Sequence, residues 1–174
     1  MSKYSNAKPV KYIIAIYLTM NIVLNHNDFN IENINLLKKR NNTVIEGTFT
    51  KFTYSNENLT MNGIYLQLVL YNMVLNQDDR IVSLTYQPYD KQNLEYIQYI
   101  TNVEMDILRY YNNLNASNKK MVGILTNKLY SGNIRSKLSK SSKINNILTI
   151  KISGIWETAN EIGLAVKIIH NIDF

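Results

Sequence analysis

The side chains best suited to a chemical task are the lysines and arginines of residues 107–156, a stretch that contains no aspartate or glutamate. Its nine cations are Arg109, Lys119, Lys120, Lys128, Arg135, Lys137, Lys140, Lys143 and Lys151. The rest of the chain is nearly balanced, so the formal net charge of +6 comes from this stretch. Like charges repel one another unless an acidic partner neutralises them. The pattern therefore predicts a polyanionic ligand, and nucleic acid is the first candidate.

Two basic clusters have the composition expected of a phosphate-binding surface. The first is Lys38-Lys39-Arg40, and the second lies in residues 131–146, a segment rich in Ser, Gly and Asn. The cations of this second segment are Arg135, Lys137, Lys140 and Lys143. Because single-strand binders need a positive groove along the nucleic-acid backbone, we expect both clusters, with Lys128 and Lys151, to bind nucleic acid. The alternative is that residues 131–146 are an ordinary solvated loop that binds nothing.

Aromatic rings are the second group with a chemical use, because bases stack on them. Phe52, Tyr54, Tyr65 and Tyr71 lie at alternating positions of two predicted strands, and Tyr130 follows Lys128 closely. A ring that stacks on a base contributes about 1–3 kcal/mol to binding. The alternative is that Phe52 belongs to the core and that the tyrosines merely cover the surface of the sheet.

The sequence holds no recognisable catalytic constellation. The two histidines, His26 and His170, stand alone, and neither a glycine-rich phosphate loop nor a Gly-x-Ser-x-Gly elbow is present. Glu104 and Asp106 would point to opposite sides of a helix, so they could not act together as an acid/base pair or bind one metal ion. Both are expected on the solvated surface. The absence of cysteine excludes disulfides, cysteine-based zinc sites and a thiol nucleophile. We therefore expect neither an enzyme nor a metal or cofactor site.

The elements that must position these residues are mostly strands. Residues 10–24 alternate with one wholly apolar face, which predicts a long strand. This apolar run is shorter than the ~20 residues that a membrane-spanning helix needs. It also lacks a small-residue cleavage site, so we expect neither secretion nor membrane contact. The alternating residues 43–54 and 59–73 predict a hairpin. In its second strand, the face expected to enter the core carries Ile64, Leu66, Leu68 and Leu70.

A helix from an N-cap at Asp90 to Asn115 is predicted by apolar residues spaced by three and four. The stripe consists of Ile97, Ile100, Val103, Ile107, Tyr111 and Leu114. A short strand is predicted before the helix at residues 81–86, and three follow it at 120–130, 147–156 and 161–170. Trp156 lies an even number of positions from Ile150 and Ile152, so a regular strand would place all three on the same face, which favours a core position for Trp156.

This order of elements predicts a mainly β, α+β fold: an OB-like Greek-key barrel of five to six strands with one long helix. We expect one domain over residues 1–174, with residues 1–9 flexible and 131–146 a basic loop. OB-folds bind oligonucleotides with strands 2 and 3 and with the loops joining strands 1 to 2 and 4 to 5. The two basic clusters fall in those two loops.

The closing segment carries a more specific pattern. It reads Gly154-Ile155-Trp156-Glu157-Thr158, followed by Gly163-Leu164 and Lys167. This segment resembles the last strands of small single-stranded DNA-binding proteins of large cytoplasmic DNA viruses and of the linear killer-type plasmids of yeast. The resemblance implies an OB-like barrel that coats displaced single strands during DNA replication in the cytoplasm. It covers about twenty residues and does not identify which rings stack.

The last two residues, Asp173 and Phe174, are similar to the acidic, aromatic-tipped tails with which many replication single-strand binders recruit partner proteins. Only one acid precedes the ring here, so a loose chain terminus is an equal alternative.

The leading hypothesis is a non-catalytic protein that binds single-stranded DNA whatever its sequence. A module for duplex ends or structured RNA would use the same charge and is the first alternative. A structural or interaction β-protein without nucleic-acid affinity is the second. Homo-oligomerisation is left open by the sequence.

Overall fold

The computed structural model describes residues 22–25, 28–78, 81–136 and 144–172. Residues 1–9 and all but the end of the predicted strand 10–24 therefore lie outside the described residues. The described part is mainly β with two helices, an α+β fold. Its strands are β1 (Ile34–Leu36), β2 (Arg40–Asn41), β3 (Thr48–Ser55), β4 (Thr60–Met61), β5 (Ile64–Val69), β6 (Val74–Asp78), β7 (Ile81–Thr85), β8 (Lys120–Val122), β9 (Asn133–Ser136), β10 (Ile144–Glu157) and β11 (Glu161–Ile172). The helices are α1 (Lys91–Leu114) and α2 (Ile124–Tyr130), and a 3-10 turn covers Ile31–Asn33.

The long strand β10 organises the larger sheet. Strand β11 runs antiparallel along one of its edges. The other edge is shared, because β5 pairs with its first half and β3 with its second half, both antiparallel. Strands β1, β2 and β4 attach to β3, and β8 extends the sheet by pairing in parallel with β11. A separate three-stranded sheet has the order β6-β7-β9.

The described strands do not close into a barrel, so the OB-like barrel stays a prediction. Residues 131–146 are also not one loop, because residues 133–136 form β9 and residues 144–146 begin β10. Residues 137–143 between them lie outside the described residues.

The predicted hairpin of residues 43–54 and 59–73 is confirmed only next to its turn, where Tyr54 faces Met61 and Ser55 faces Thr60. The chain then leaves β3 at Gly63, which has a φ of 98°. A Cβ atom at Gly63 would lie 2.5 Å from the carbonyl oxygen of Ile152. Because other residues rarely adopt this angle and a side chain would block this approach, glycine lets the chain turn here so that β5 pairs with β10 instead of β3.

The core forms between the sheet and α1, largely as the alternation predicts. The side chains of Ile64, Leu66, Leu68 and Leu70 are all fully buried. The predicted helix is confirmed, with Asp90 as N-cap and Asn115 as C-cap. Its stripe is buried from Ile97 to Tyr111, whereas Leu114 is 58% exposed because it lies in the last turn. The strand predicted at residues 81–86 is also confirmed as β7.

A one-residue bulge in β10 decides which side chains face α1. Ile152 pairs with Val166 of β11, but Gly154 pairs with Ala165, so Ser153 is an extra residue in β10. Successive strand residues point to opposite faces, and an insertion exchanges the faces of everything that follows. Ile155 is therefore buried, and Trp156 points to the opposite side of the sheet from α1. The prediction of a core position for Trp156 is wrong for this reason.

The prediction of a strand over residues 120–130 is correct only for β8, because residues 124–130 form α2. The start of α2 is held by the carboxylate of Glu104, a residue of α1. Glu104 accepts hydrogen bonds from the backbone N–H groups of Leu125 and Thr126, both at 2.8 Å, and from the Thr126 hydroxyl at 2.9 Å. Its side chain is 0% exposed, so its predicted place on the solvated surface is wrong. Asp106 is exposed as predicted and pairs with Arg109.

We expect the Glu104→Ala variant to lower the free energy of unfolding by about 3 kcal/mol, because it leaves buried donors at the start of α2 without an acceptor. The measurement is urea unfolding at neutral pH. The matched control is Asp106→Ala on the same helix, which breaks only an exposed ion pair and should cost less than about 1 kcal/mol. Equal losses in the two variants would contradict this role of Glu104.

Candidate nucleic-acid interface

The predicted cluster Lys38-Lys39-Arg40 is divided between the two sides of the sheet. It lies between β1 and β2, which both pair with β3. Lys39 forms an ion pair of 2.8 Å with Glu157 of β10. Lys38 and Arg40 instead line an open cleft of about 300 Å³. We call it the cation cleft; its lining consists of Leu37, Lys38, Arg40, Phe49 and Lys51.

Two aromatic rings lie on the outer face of the sheet, which is the side away from α1. Phe49 of β3 and Trp156 of β10 are direct cross-strand partners. A Cβ atom at Gly154 would lie 2.6 Å from Cζ of Phe49, and one at Gly163 would lie 2.3 Å from Cζ2 of Trp156. Each ring therefore rests on a glycine, in space that any other residue's side chain would fill.

These rings line a larger cleft of about 650 Å³ beside the cation cleft, and we call it the ring cleft. Its lining comprises Arg40, Asn41, Asn42, Thr43, Val44, Ile45, Phe49, Ile124, Trp156 and Ala165. The cation cleft and the ring cleft share Arg40 and Phe49, so they are neighbours on one surface. None of the described residues that line either cleft is acidic.

The cations of this surface are available to a ligand. Lys38, Arg40 and Lys51 are all exposed. None of them forms an ion pair with a carboxylate among the described residues. Three cations beside two rings can bind phosphates and bases at the same time.

Behind this surface, the carboxylate of Glu157 gathers three donors on the inner side of the sheet. Lys119 Nζ lies 2.7 Å from Oε1, and both Lys39 Nζ and the Tyr111 hydroxyl lie 2.8 Å from Oε2. Burial alone would raise the pKa of Glu157, but the hydrogen bonds from Lys119, Lys39 and Tyr111 lower it to about 2. The hydrogen bond to Glu157 also raises the pKa of Lys39. Lys39 is thus committed to the protein, and its predicted role as a phosphate contact is not supported by its position.

Two of the predicted stacking rings belong to the core. Phe52 is 0% and Tyr54 1% exposed, because the even positions of β3 face inward. The Tyr54 hydroxyl donates to the carbonyl oxygen of Asp28 at 3.1 Å and accepts from the N–H of Asn30 at 2.9 Å. The prediction that these two rings face bases is wrong, and the core alternative is confirmed for Phe52. Of the two rings that do face outward on this surface, Phe49 lies at an odd position of β3, and Trp156 is its cross-strand partner in β10, beyond the bulge at Ser153.

Tyr65 and Lys151 are placed together by the pairing of β5 with β10. They are direct cross-strand partners, and Lys151 Nζ lies 5.1 Å from the centre of the Tyr65 ring. Such a contact is a favourable cation–π interaction. Tyr65 is 5% exposed, so its ring is not open to a base. Tyr71 is half-buried, and its backbone N–H donates to Asn93 at 2.7 Å.

Three of the remaining predicted residues, Lys128, Tyr130 and Arg135, lie elsewhere on the surface. Lys128 and Arg135 line a separate cleft of about 380 Å³ together with Ser131 and Asn133. The Tyr130 ring lies beside that of Tyr89, with 5.7 Å between their centres. Lys137, Lys140 and Lys143, as well as Asp173 and Phe174, lie outside the described residues.

Sequence reasoning missed Phe49 and Lys51, and it placed Trp156 on the wrong side. A signal was nevertheless present in the closing segment, where Gly154 and Gly163 bracket Trp156 in sequence. Glycine inside a strand often marks a place where another group approaches the backbone closely. Here the approaching groups are the two rings.

No family model, curated protein or solved structure shows a significant match to this chain. Among the described residues, no helix is both long and apolar enough to cross a membrane. Nor do the described histidine, aspartate and glutamate residues form any group of three or more that could hold a metal ion.

We expect the Glu157→Gln variant to be less stable than the wild type at neutral pH and equally stable near pH 2. The carboxylate pKa falls from 4.5 to about 2 on folding, so its contribution is fully present above pH 4.5 and is lost as the pH falls through about 2. Chemical unfolding at a series of pH values measures the difference. The control is Glu161→Gln, which removes only an exposed pair with Lys120. A stability difference that does not change with pH would refute the assignment.

Proposed function

We propose that this protein binds single-stranded DNA without reading its sequence and has no catalytic activity. The observation that carries the proposal is the pair of outward rings, Phe49 and Trp156, laid on glycines beside three exposed cations. These cations, Lys38, Arg40 and Lys51, form no ion pair with a carboxylate of the described residues. On this proposal the phosphates of a strand lie in the cation cleft while its bases stack in the ring cleft.

The chemistry of the surface suits a strand whose bases are exposed. Every base has a flat π face, so stacking on Phe49 or Trp156 discriminates little between bases. Bases in a duplex are already stacked and paired, which makes their faces unavailable to the rings. Arg40 borders both clefts, and its guanidinium can bind a phosphate or stack on a base. These properties favour single strands over duplex and favour binding without sequence preference.

We further propose that the fold is an OB-like barrel. Its first strand would be the one that the sequence predicts at residues 10–24, most of which lies outside the described residues. With that segment counted first, the long strands follow in the order β3, β5, β10 and β11, and α1 lies between the third and the fourth. Strand β3 is then the second strand, and residues 37–47 belong largely to the loop region before it. OB-folds bind oligonucleotides with these parts. Both clefts are lined by β3 and by this region.

The biological setting that we propose is protection of displaced strands during DNA replication in the cytoplasm. This part rests on the resemblance of residues 150–167 to the closing strands of viral and linear-plasmid single-strand binders. The two residues of that segment most directly involved in the surface are Gly154 and Trp156, because Gly154 supports the Phe49 ring and Trp156 lines the ring cleft.

Reversing two cleft charges should weaken binding of a labelled dT oligomer strongly. In the Arg40→Glu/Lys51→Glu variant we expect the slope of log affinity against log salt to fall by about 1.4, because each lost phosphate contact removes about 0.7. Fluorescence anisotropy over a range of salt concentrations measures this slope. The matched control, Lys91→Glu/Arg109→Glu, makes the same change in net charge on the exposed side of α1 and should keep the slope.

An equal effect of the two charge variants would mean that net charge, and not this surface, drives binding. Competition with duplex DNA and with RNA separates the proposal from the alternative of a duplex-end or RNA-binding module. Absence of binding at low salt, together with a particle-sized mass, would favour the structural alternative.

Removing a ring should weaken binding while leaving the salt slope almost unchanged. We expect Trp156→Ala and Phe49→Ala each to cost about 1–3 kcal/mol of binding free energy, because each removes one stacking platform. Tyr110→Ala, which removes a half-buried ring on α1 outside both clefts, should leave affinity unchanged. Trp156 is the sole tryptophan, so its fluorescence in the wild type should be quenched on binding. A wild-type complex that forms without any change in this fluorescence would exclude Trp156 as a platform.

A further inference from the structure

A second cationic cleft lies at the far end of α2 from the ring cleft. Its lining consists of Lys128 from α2, Ser131, and Asn133 and Arg135 from β9. Asn133 and Arg135 are two residues apart on one strand and therefore share a face. Lys128 and Arg135 form no ion pair with any carboxylate among the described residues, and no residue of the lining is acidic. We call this the second cleft.

Helix α2 places the second cleft next to the ring cleft. Ile124 lines the ring cleft, and Lys128 lines the second cleft. Residues four apart lie on the same face of a helix and about 6 Å apart. One face of α2 is thus a wall of both the ring cleft and the second cleft. A single strand of DNA that extends from the Trp156 ring would follow about one turn of α2 to reach Lys128.

The wall is held firmly in place. Leu125 and Leu129, on the neighbouring face of α2 about 100° around the helix, are fully buried, and Glu104 fixes its first turn. The far side of the second cleft is fixed too, because Asn133 Oδ1 accepts a hydrogen bond from Ser83 of β7. The two elements that carry Lys128 and Arg135 are therefore tied to the core and to β7.

A further aromatic pair stands beside the second cleft. Tyr130 follows Lys128 on α2, and its ring contacts that of Tyr89, which is 72% exposed. Cations next to an exposed ring repeat the combination found at the ring cleft and the cation cleft.

We infer that one continuous track for a single strand runs from the cation cleft through the ring cleft and along α2 into the second cleft. This inference rests on the proposed function and adds to it a length requirement. A short strand occupies only the rings and their neighbouring cations, whereas a strand that also reaches Lys128 and Arg135 gains the second set of contacts at high effective concentration. The ligand class is therefore a single strand long enough to span both clefts.

The test compares two dT oligomers near the limits of the site sizes known for such domains, roughly 4 and roughly 16 nucleotides. Both are titrated against the full-length wild type and against Lys128→Glu/Arg135→Glu. We expect the variant to bind the short oligomer within about twofold of the wild type. It should bind the long oligomer at least about tenfold more weakly, with a salt slope lower by about 1.4. The Lys91→Glu/Arg109→Glu variant again controls for net charge.

Each outcome has a distinct meaning. A variant that weakens both oligomers equally, or that leaves the long one at wild-type affinity, overturns the continuous track while the proposed function stands. A loss for the long oligomer that the net-charge control reproduces also overturns it. If the wild type binds neither oligomer, the proposed function itself fails and the track falls with it.

Discussion

The arrangement of this protein depends on one extra residue, Ser153, in the central strand β10. Before the bulge, Ile150 and Ile152 face the core; after it, Ile155 does. A regular strand would have placed Trp156 in the core and Glu157 on the outside, since side chains alternate strictly along a strand. The bulge instead puts the ring on the outer face and the carboxylate against α1.

The inward carboxylate organises the inner side of the sheet. Glu157 binds Lys39 from the segment before β2, Lys119 from the segment before β8, and Tyr111 from α1. Taking a charge out of water is unfavourable unless partners replace the lost solvation, and three donors do so here. Anchoring Lys39 inward leaves its neighbours Lys38 and Arg40 on the outer side, at the cation cleft. The same interaction that stabilises the fold therefore selects which cations remain available.

A second carboxylate plays a comparable part for α2. The side chain of Glu104 in α1 accepts hydrogen bonds from the first turn of α2, where Leu125 lies 21 residues further along the chain. Helix starts are commonly satisfied by a residue of the same turn, but here the acceptor comes from another helix. The position of α2, and with it the wall shared by the ring cleft and the second cleft, is thereby tied to the core.

Local patterns in the sequence were sufficient for the elements with a clear period. The spacing of Ile97, Ile100, Val103 and Ile107 predicted α1, and the alternation from Ile64 to Leu70 predicted the buried face of β5 and the residue after it. Both periods follow from backbone geometry, which repeats every 3.6 residues in a helix and every two in a strand. The excess of positive charge is likewise a property of composition.

Other features were not readable, because they depend on contacts between residues far apart in the chain. Gly63 sends β5 to β10 instead of β3, and Glu104 turns a segment with strand-like composition into the start of α2. The strict alternation of strand residues gave the wrong face for Trp156, because Ser153 is an extra residue and the sequence does not mark which residue of a strand is left unpaired.

The sequence by itself determined that this chain carries a concentrated positive charge, one long amphipathic helix and several alternating strands. Only the tertiary structure decided that Lys39 is neutralised by Glu157, whereas Lys38, Arg40 and Lys51 meet no carboxylate within the part of the chain that the structure describes. It also decided that Phe49 and Trp156 replace Phe52 and Tyr54 as the outward rings. The physical reason is that charge and periodicity are local properties of a chain. The freedom of a charge and the exposure of a ring depend on which distant residues pack against them.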